Sequence, residues 1–206
     1  MKSRNTPPGP RTFADRVEEQ ITRLSITALG MFNRGTQTLR EKELQLDLEA
    51  IGGAVEGGDD DKRLLGELFF VHAAEATMLS GSARKDVERS YEFLHATMGE
   101  FLIAHYIMNT LRDIADAAYG GKRGHRKPKD DPLYAVLSHQ AIAARESISA
   151  FTVDLYFDID PDEQDAVRKT LTTLIDSYQR RLPSTDYLTY RPRPVAAEAD
   201  FPQPGP

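Results

Sequence analysis

The chain contains no cysteine and no tryptophan. Without cysteine there is no disulfide framework, no thiolate metal site and no cysteine nucleophile, and the composition fits a reducing compartment. Proline is nearly missing from the middle: of 12 prolines, only Pro128, Pro132 and Pro161 lie between residues 11 and 182. No apolar run approaches the roughly 18 residues of a membrane span. The start, Met1-Lys2-Ser3-Arg4-Asn5, lacks the apolar stretch of a secretory signal. These absences predict a cytoplasmic chain with no membrane contact. Positive charge is also in deficit. Lys plus Arg number 26 against 32 Asp plus Glu, a net charge of -6, which disfavours nucleic acid as a bulk electrostatic partner.

Catalytic signatures are missing as well. Nucleotide hydrolysis by the common route needs the phosphate cradle GxxxxGK[ST] between a strand and a helix. The one Gly-Lys pair is Gly121-Lys122, and Arg123 stands where Ser or Thr would hold magnesium. There is no HExxH and no GxSxG elbow. The acids are scattered as on solvated helix faces, and no pair is assigned as general acid and base. The expectation is a chain with no catalysis of its own, no metal and no cofactor in isolation.

What is present is helix. The 206 residues are 40% hydrophobic and 28% charged, enough for one globular domain or two small ones. Thr12 with Asp15 forms a capping pattern, and Phe13, Val17, Ile21, Leu24, Ala28 and Leu29 follow at helical spacing. Gly30 to Gly35 closes that run. Thr38 with Glu41 opens a second helix striped by Leu44, Leu48 and Ile51. Asp59-Asp60-Asp61 precede a short third helix carrying Leu64, Leu65 and Leu68. Then Phe69–Ala73 and Ser90–His95 read as two strands of a hairpin around the polar tip Ser80–Asp86. Thr97 with Glu100 caps the strongest helix, which Gly120-Gly121 ends. A basic loop of Lys122, Arg123, His125, Arg126, Lys127 and Lys129 follows. Helices then start at Asp131-Pro132, span 144–157, and open at Asp160, Pro161 and Glu163, the last running to about Pro183.

The expected fold is therefore mostly α. A winged-helix-like domain, three helices plus a small β-hairpin, precedes a helical bundle segment, with disordered proline-rich ends. The boundaries are a tail over 1–10, the winged-helix-like domain over 11–119, the basic loop over 120–131, the helical domain over 132–183 and a proline-rich tail over 184–206.

The most informative stretch runs from Tyr91 to Tyr106, where a strand enters a capped helix with His95 at the junction. First-turn backbone N–H groups lack internal partners and favour an anion. An imidazole there can donate to a phosphate oxygen. The alternative is a histidine hydrogen-bonded within the core, on the strand face of Tyr91 and Phe93. Thr97 reads as the N-cap and Glu100 as its reciprocal partner.

Phe93, Leu94, His95, Thr97, Glu100, Phe101, Leu102, Ala104 and Tyr106 resemble a signature of NACHT-type STAND NTPases, in which F-[IL]-H-x-[ST]-F-x-E-[FY]-[LF]-x-A-x-[YF] closes the winged-helix domain. Met98 replaces the usual Phe, and Gly99 stands where Gln is common. Residues 11–183 resemble the portion that follows the NTPase domain in large actinobacterial members. The resemblance implies that His95 contacts the terminal phosphate of ADP, with Thr97 beside it, once the chain is joined to an NTPase domain in cis or in trans. It implies a cytoplasmic nucleotide-sensing switch linked to defence, here as a fragment or a freestanding relic. Two other readings stay open. One is a helical scaffold that binds a protein partner through an apolar face. The other is a DNA-binding winged helix using Arg84, Lys85, Arg89 and the basic loop.

Overall fold

The computed structural model describes residues 12–51, 69–75, 87–120, 126–129, 131–178, 190 and 192. Helix α1 spans Phe13–Arg34. The expected capping box is there: the Thr12 hydroxyl accepts from the Asp15 N–H at 3.1 Å, and the Asp15 carboxylate accepts from the Thr12 N–H at 2.8 Å. Gly30 does not stop the helix. Gly35 does, at φ 66°, the left-handed conformation that glycine adopts without penalty. The expected apolar stripe is only half used. Phe13 and Val17 are exposed, and burial is continuous only from Leu24 to Asn33.

Thr38 does not cap α2. It begins a short strand, β1 (Thr38–Arg40), and α2 follows as Glu41–Ile51. The reach-back half of a capping box falls to Glu43, which accepts from the Arg40 N–H at 3.1 Å. Tertiary pairing explains the change: Leu39 is fully buried and sits opposite Tyr91 in an antiparallel ladder. The third helix expected over 59–68 lies outside the described residues, as does the wing tip with Arg84 and Lys85.

The hairpin is observed, two residues longer on its first strand. Strand β2 (Phe69–Glu75) pairs antiparallel with β3 (Val87–Phe93), in register from Phe69 opposite Phe93 to Glu75 opposite Val87. With β1 added, the sheet has three strands in the order β1-β3-β2. The central strand turns Tyr91 and Phe93 inward, both buried, as the two-residue period requires.

Helix α3 (Ala96–Tyr119) is the axis of the molecule. Its buried residues run from Gly99 to Ala118 and face α1 on one side and the later helices on the others. Those are α4 (Asp131–Leu137), a single 3-10 turn over Ile142–Ala144, α5 (Glu146–Asp158) and α6 (Pro161–Tyr178). Asp160 and Pro161 start α6 as expected, with the Asp160 carboxylate accepting from the Asp162 N–H at 2.9 Å. One hydrophobic core joins Leu29 of α1, Tyr91 and Phe93 of β3, Ile107 of α3, Ile148 of α5 and Val167 of α6. The chain is mostly helical, and no described helix is long and apolar enough to cross a membrane.

The proline-rich end holds one departure from the expected irregular tail. Tyr190 is buried, 3% exposed, and Pro192 is buried too. The Tyr190 hydroxyl accepts from the Asn33 side-chain amide at 2.9 Å, and its ring meets the His139 ring edge-on at 5.4 Å. An aromatic side chain that hides apolar surface and keeps one polar bond is enough to fasten an irregular segment. The rest of 184–206, and residues 1–10, lie outside the described residues.

Candidate functional site

Strand β3 ends at Phe93, the chain bends through Leu94 and His95, and α3 starts at Ala96. His95 is the N-cap residue, with extended backbone at φ -136° and ψ 122°. Two expectations are corrected here. Thr97 is not the N-cap. Its backbone already lies inside the helix, one residue beyond the first helical position, so its hydroxyl is past the point from which it reaches the first-turn donors. His95 is not a core histidine either. It is exposed, because β3 stops two residues earlier and the inward alternation of Tyr91 and Phe93 does not extend to it.

His95 holds the capping position without capping. Its side chain makes no cap hydrogen bond, and its carbonyl accepts from the Met98 N–H at 3.1 Å. Asp, Asn, Ser or Thr normally fills this position because its oxygen satisfies a first-turn N–H. An imidazole at the head of a 24-residue helix instead adds a donor where backbone donors and the positive end of the dipole already point. The exposed neighbours Ala96, Thr97 and Met98 leave this end open.

Beneath the junction lies a groove of about 250 Å³ between α1, α3 and α5. Phe93, Gly99 and Ile103 form part of its wall, and Glu92, Glu100 and Arg145 supply its charge. His95 and Thr97 are not among the residues that line it. Two carboxylates against one guanidinium make the groove itself unfavourable for phosphate.

Sequence reasoning missed a second concavity. Acids that looked scattered converge on a groove of about 670 Å³: Glu18 from α1, Asp113 and Asp116 from α3, and Asp162 and Glu163 from α6. Burial pushes the Asp113 carboxyl above its usual range, helped by Asp116 and Glu18 and opposed by Arg112. Arg112 holds Glu163 through both carboxylate oxygens, at 3.0 and 3.1 Å. The i,i+3 pair Asp113–Asp116 was the available signal, but the opposing acids come from helices far apart in sequence. Among the described residues no group of three or more His, Asp or Glu could hold a metal ion. Of the basic loop, Arg126, Lys127 and Lys129 are exposed, while Lys122, Arg123 and His125 lie outside the described residues.

No family model, curated protein or solved structure matches this chain.

Proposed function

We propose that the chain is a non-catalytic regulatory segment, a winged-helix unit with its following helices, that works with a NACHT-like NTPase domain. His95 is the residue that meets the terminal phosphate of ADP held by that domain. The observation that carries this reading is the exposed, non-capping His95 between the last sheet strand and the longest helix. The sheet order supports it. A short strand between the first two helices lies beside the second hairpin strand, a strand order compatible with a winged helix. The motif residues also divide as a contact surface requires. Phe93, Leu102 and Ala104 are buried, while His95 and Thr97 are exposed.

The test supplies a NACHT-type NTPase domain in the same polypeptide or in trans and measures ADP affinity by calorimetry. One charge-assisted hydrogen bond corresponds to about ten- to a hundredfold in affinity, so His95→Ala should weaken ADP by that factor. Equal affinity of wild type and variant would remove His95 from the site. The chain alone should release no phosphate from ATP or GTP, and sustained release by repurified protein would overturn the non-catalytic reading.

A second reading, a helical scaffold for a protein partner, is favoured by a different surface. Val153, Phe157 and Ile175 stand on the outer helices with more than half of their area exposed.

A further inference from the structure

Tyr190 is buried, yet it stands outside the contiguous hydrophobic core, which runs from Leu24 of α1 to Val167 of α6 without it. It belongs to no helix or strand. What holds it is a socket made by the helical body. Asn33, fully buried near the end of α1, donates its side-chain amide to the Tyr190 hydroxyl at 2.9 Å. His139, just past α4, meets the ring edge-on with 5.4 Å between centroids. Tyr106 of α3 and the Arg34–Asp47 ion pair lie close enough for their charges to act on the phenol. The socket thus offers a donor to a hydroxyl and an aromatic edge to a ring. A site built around a buried hydrogen bond to a hydroxyl discriminates against an analogue that lacks it.

Pro192 is buried as well. The residue before a proline is held toward extended backbone, and in an extended chain residues two apart face the same way. Tyr190-Arg191-Pro192 therefore has the pattern of a short linear ligand, presenting a tyrosine and a proline to one surface. A ligand carried on the same chain acts at an effective concentration of order millimolar. A few contacts then suffice to keep it seated, and so few contacts leave it exchangeable.

We infer that the socket of Asn33 and His139 is a binding site for an extended Tyr-X-Pro segment, and that the chain's own Tyr190 and Pro192 occupy it as a separable ligand rather than as part of the core. The inference does not rest on the nucleotide reading of His95.

Fluorescence anisotropy tests it, with a labelled peptide of residues 186–196 titrated against the full-length Tyr190→Ala chain. That variant removes the occupant and keeps the socket residues. The peptide should bind it saturably, and should bind the wild-type chain at least about tenfold more weakly, because the segment in cis already holds the site. A peptide carrying Tyr190→Phe should bind about two- to tenfold more weakly than the parent peptide, the equivalent of one neutral hydrogen bond. A peptide carrying Tyr190→Ala should not bind at millimolar concentration. Saturating parent peptide should also raise the melting temperature of the Tyr190→Ala chain toward that of wild type, and move wild type much less. If that variant is unfolded alone, the peptide should refold it, as read by circular dichroism. Equal binding to wild type and to Tyr190→Ala overturns the inference, since the peptide then sits elsewhere. Equal binding of the parent and Tyr190→Ala peptides overturns it too. So does a Tyr190→Ala chain that millimolar peptide neither binds nor stabilises, because Tyr190 is then an ordinary part of the fold.

Discussion

Asn33, near the end of the first helix, donates its side-chain amide to the Tyr190 hydroxyl at 2.9 Å, across 157 residues of sequence. Both side chains are buried. The contact ties an irregular C-terminal residue to the most deeply buried part of α1. Tyr190→Phe removes the acceptor and should cost about 1–2 kcal/mol. Tyr190→Ala also opens a cavity and should cost about 3–5 kcal/mol. Urea denaturation of the three proteins measures both. A Phe variant as costly as the Ala variant would show that the hydroxyl, not the ring, supplies the anchor.

Tyr190 also fixes a pH dependence. Burial raises its phenol well above the usual value of 10.0, with Asp47 adding to the rise, while the Asn33 hydrogen bond and Arg34 oppose it. A folded-state pKa above the unfolded one means that the fold favours the neutral phenol. The stabilisation is fully present below about pH 10 and is lost as pH rises through that value toward the folded pKa. Wild-type stability should therefore fall steeply above pH 10, and the Tyr190→Phe slope should be flatter. Parallel slopes in denaturation series from pH 8 to 11 would contradict this.

Sequence pattern identified most elements because their signals are local. The Thr12–Asp15 box, the Asp160-Pro161 start and the aromatic β3 each depend on residues within a few positions. What it missed depends on distant partners. Thr38–Arg40 is too short to read as a strand without knowing that Leu39 pairs opposite Tyr91. The Phe13 end of α1 repeats the core pattern, yet nothing covers it among the described residues. At the junction, the Thr97–Glu100 spacing mimics a capping box, and the chain enters the helix two residues too early for Thr97 to use it. Tyr190 sits among prolines that forbid a ladder but do not forbid burial.

Gly30 lies where α1 crosses the buried ion pair. Arg34 grips Asp47 with two hydrogen bonds, one of 2.9 Å, and donates to the Gly30 carbonyl at 3.0 Å. A methyl group at Gly30 would stand 2.5 Å from Asp47 Oδ2 and 3.1 Å from both Arg34 Nη1 and Leu39 Cδ2. The carboxylate is pinned and Leu39 is fully buried, so little can yield. Gly30→Ala should lose about 1–3 kcal/mol by overpacking, despite a helix-propensity gain of about 1 kcal/mol. Asp47→Ala should cost about 1.5–3 kcal/mol, since it removes the bidentate partner of the guanidinium and leaves it Glu43 at 3.9 Å and the Gly30 carbonyl. Because the two share atoms, Gly30→Ala should cost less in the Asp47→Ala background. Additive costs in a double-mutant cycle would refute the steric account.

Gly99 answers a similar question at the junction. It is buried against the Phe93 ring, and an added methyl would sit 3.3 Å from Phe93 Cδ2. Gly99→Ala should fall within about 1 kcal/mol of wild type, as propensity offsets the tight contact. Gly99→Gln, the residue common in the resembling motif, has no room above Phe93 and should cost about 1–3 kcal/mol. Thermal melts rank the three. A Gln variant as stable as wild type would mean that Phe93 repacks freely.

His95 gives the sharpest separation of stability from function. A protein selected for stability alone would place Asp or Ser at the head of α3, because the first-turn N–H groups want an acceptor there. His95 supplies no side-chain cap bond. Consistent local signals make folds, and departures from them gather at functional sites. His95→Asp should therefore stabilise the isolated chain by about 0.5–2 kcal/mol, through a new cap and a favourable charge at the positive end of the helix. His95→Ala should change stability by less than about 0.5 kcal/mol, since the side chain is exposed. Phe93→Ala should lose about 3–5 kcal/mol, since that ring is buried. The stabilised Asp variant would put a carboxylate where a phosphate is proposed to arrive, and ADP binding with an NTPase domain should suffer more than in His95→Ala. Urea denaturation of the isolated chain decides the structural half. A destabilised His95→Asp would show that the imidazole already makes a stabilising contact, and the open helix end would lose its claim to await a ligand.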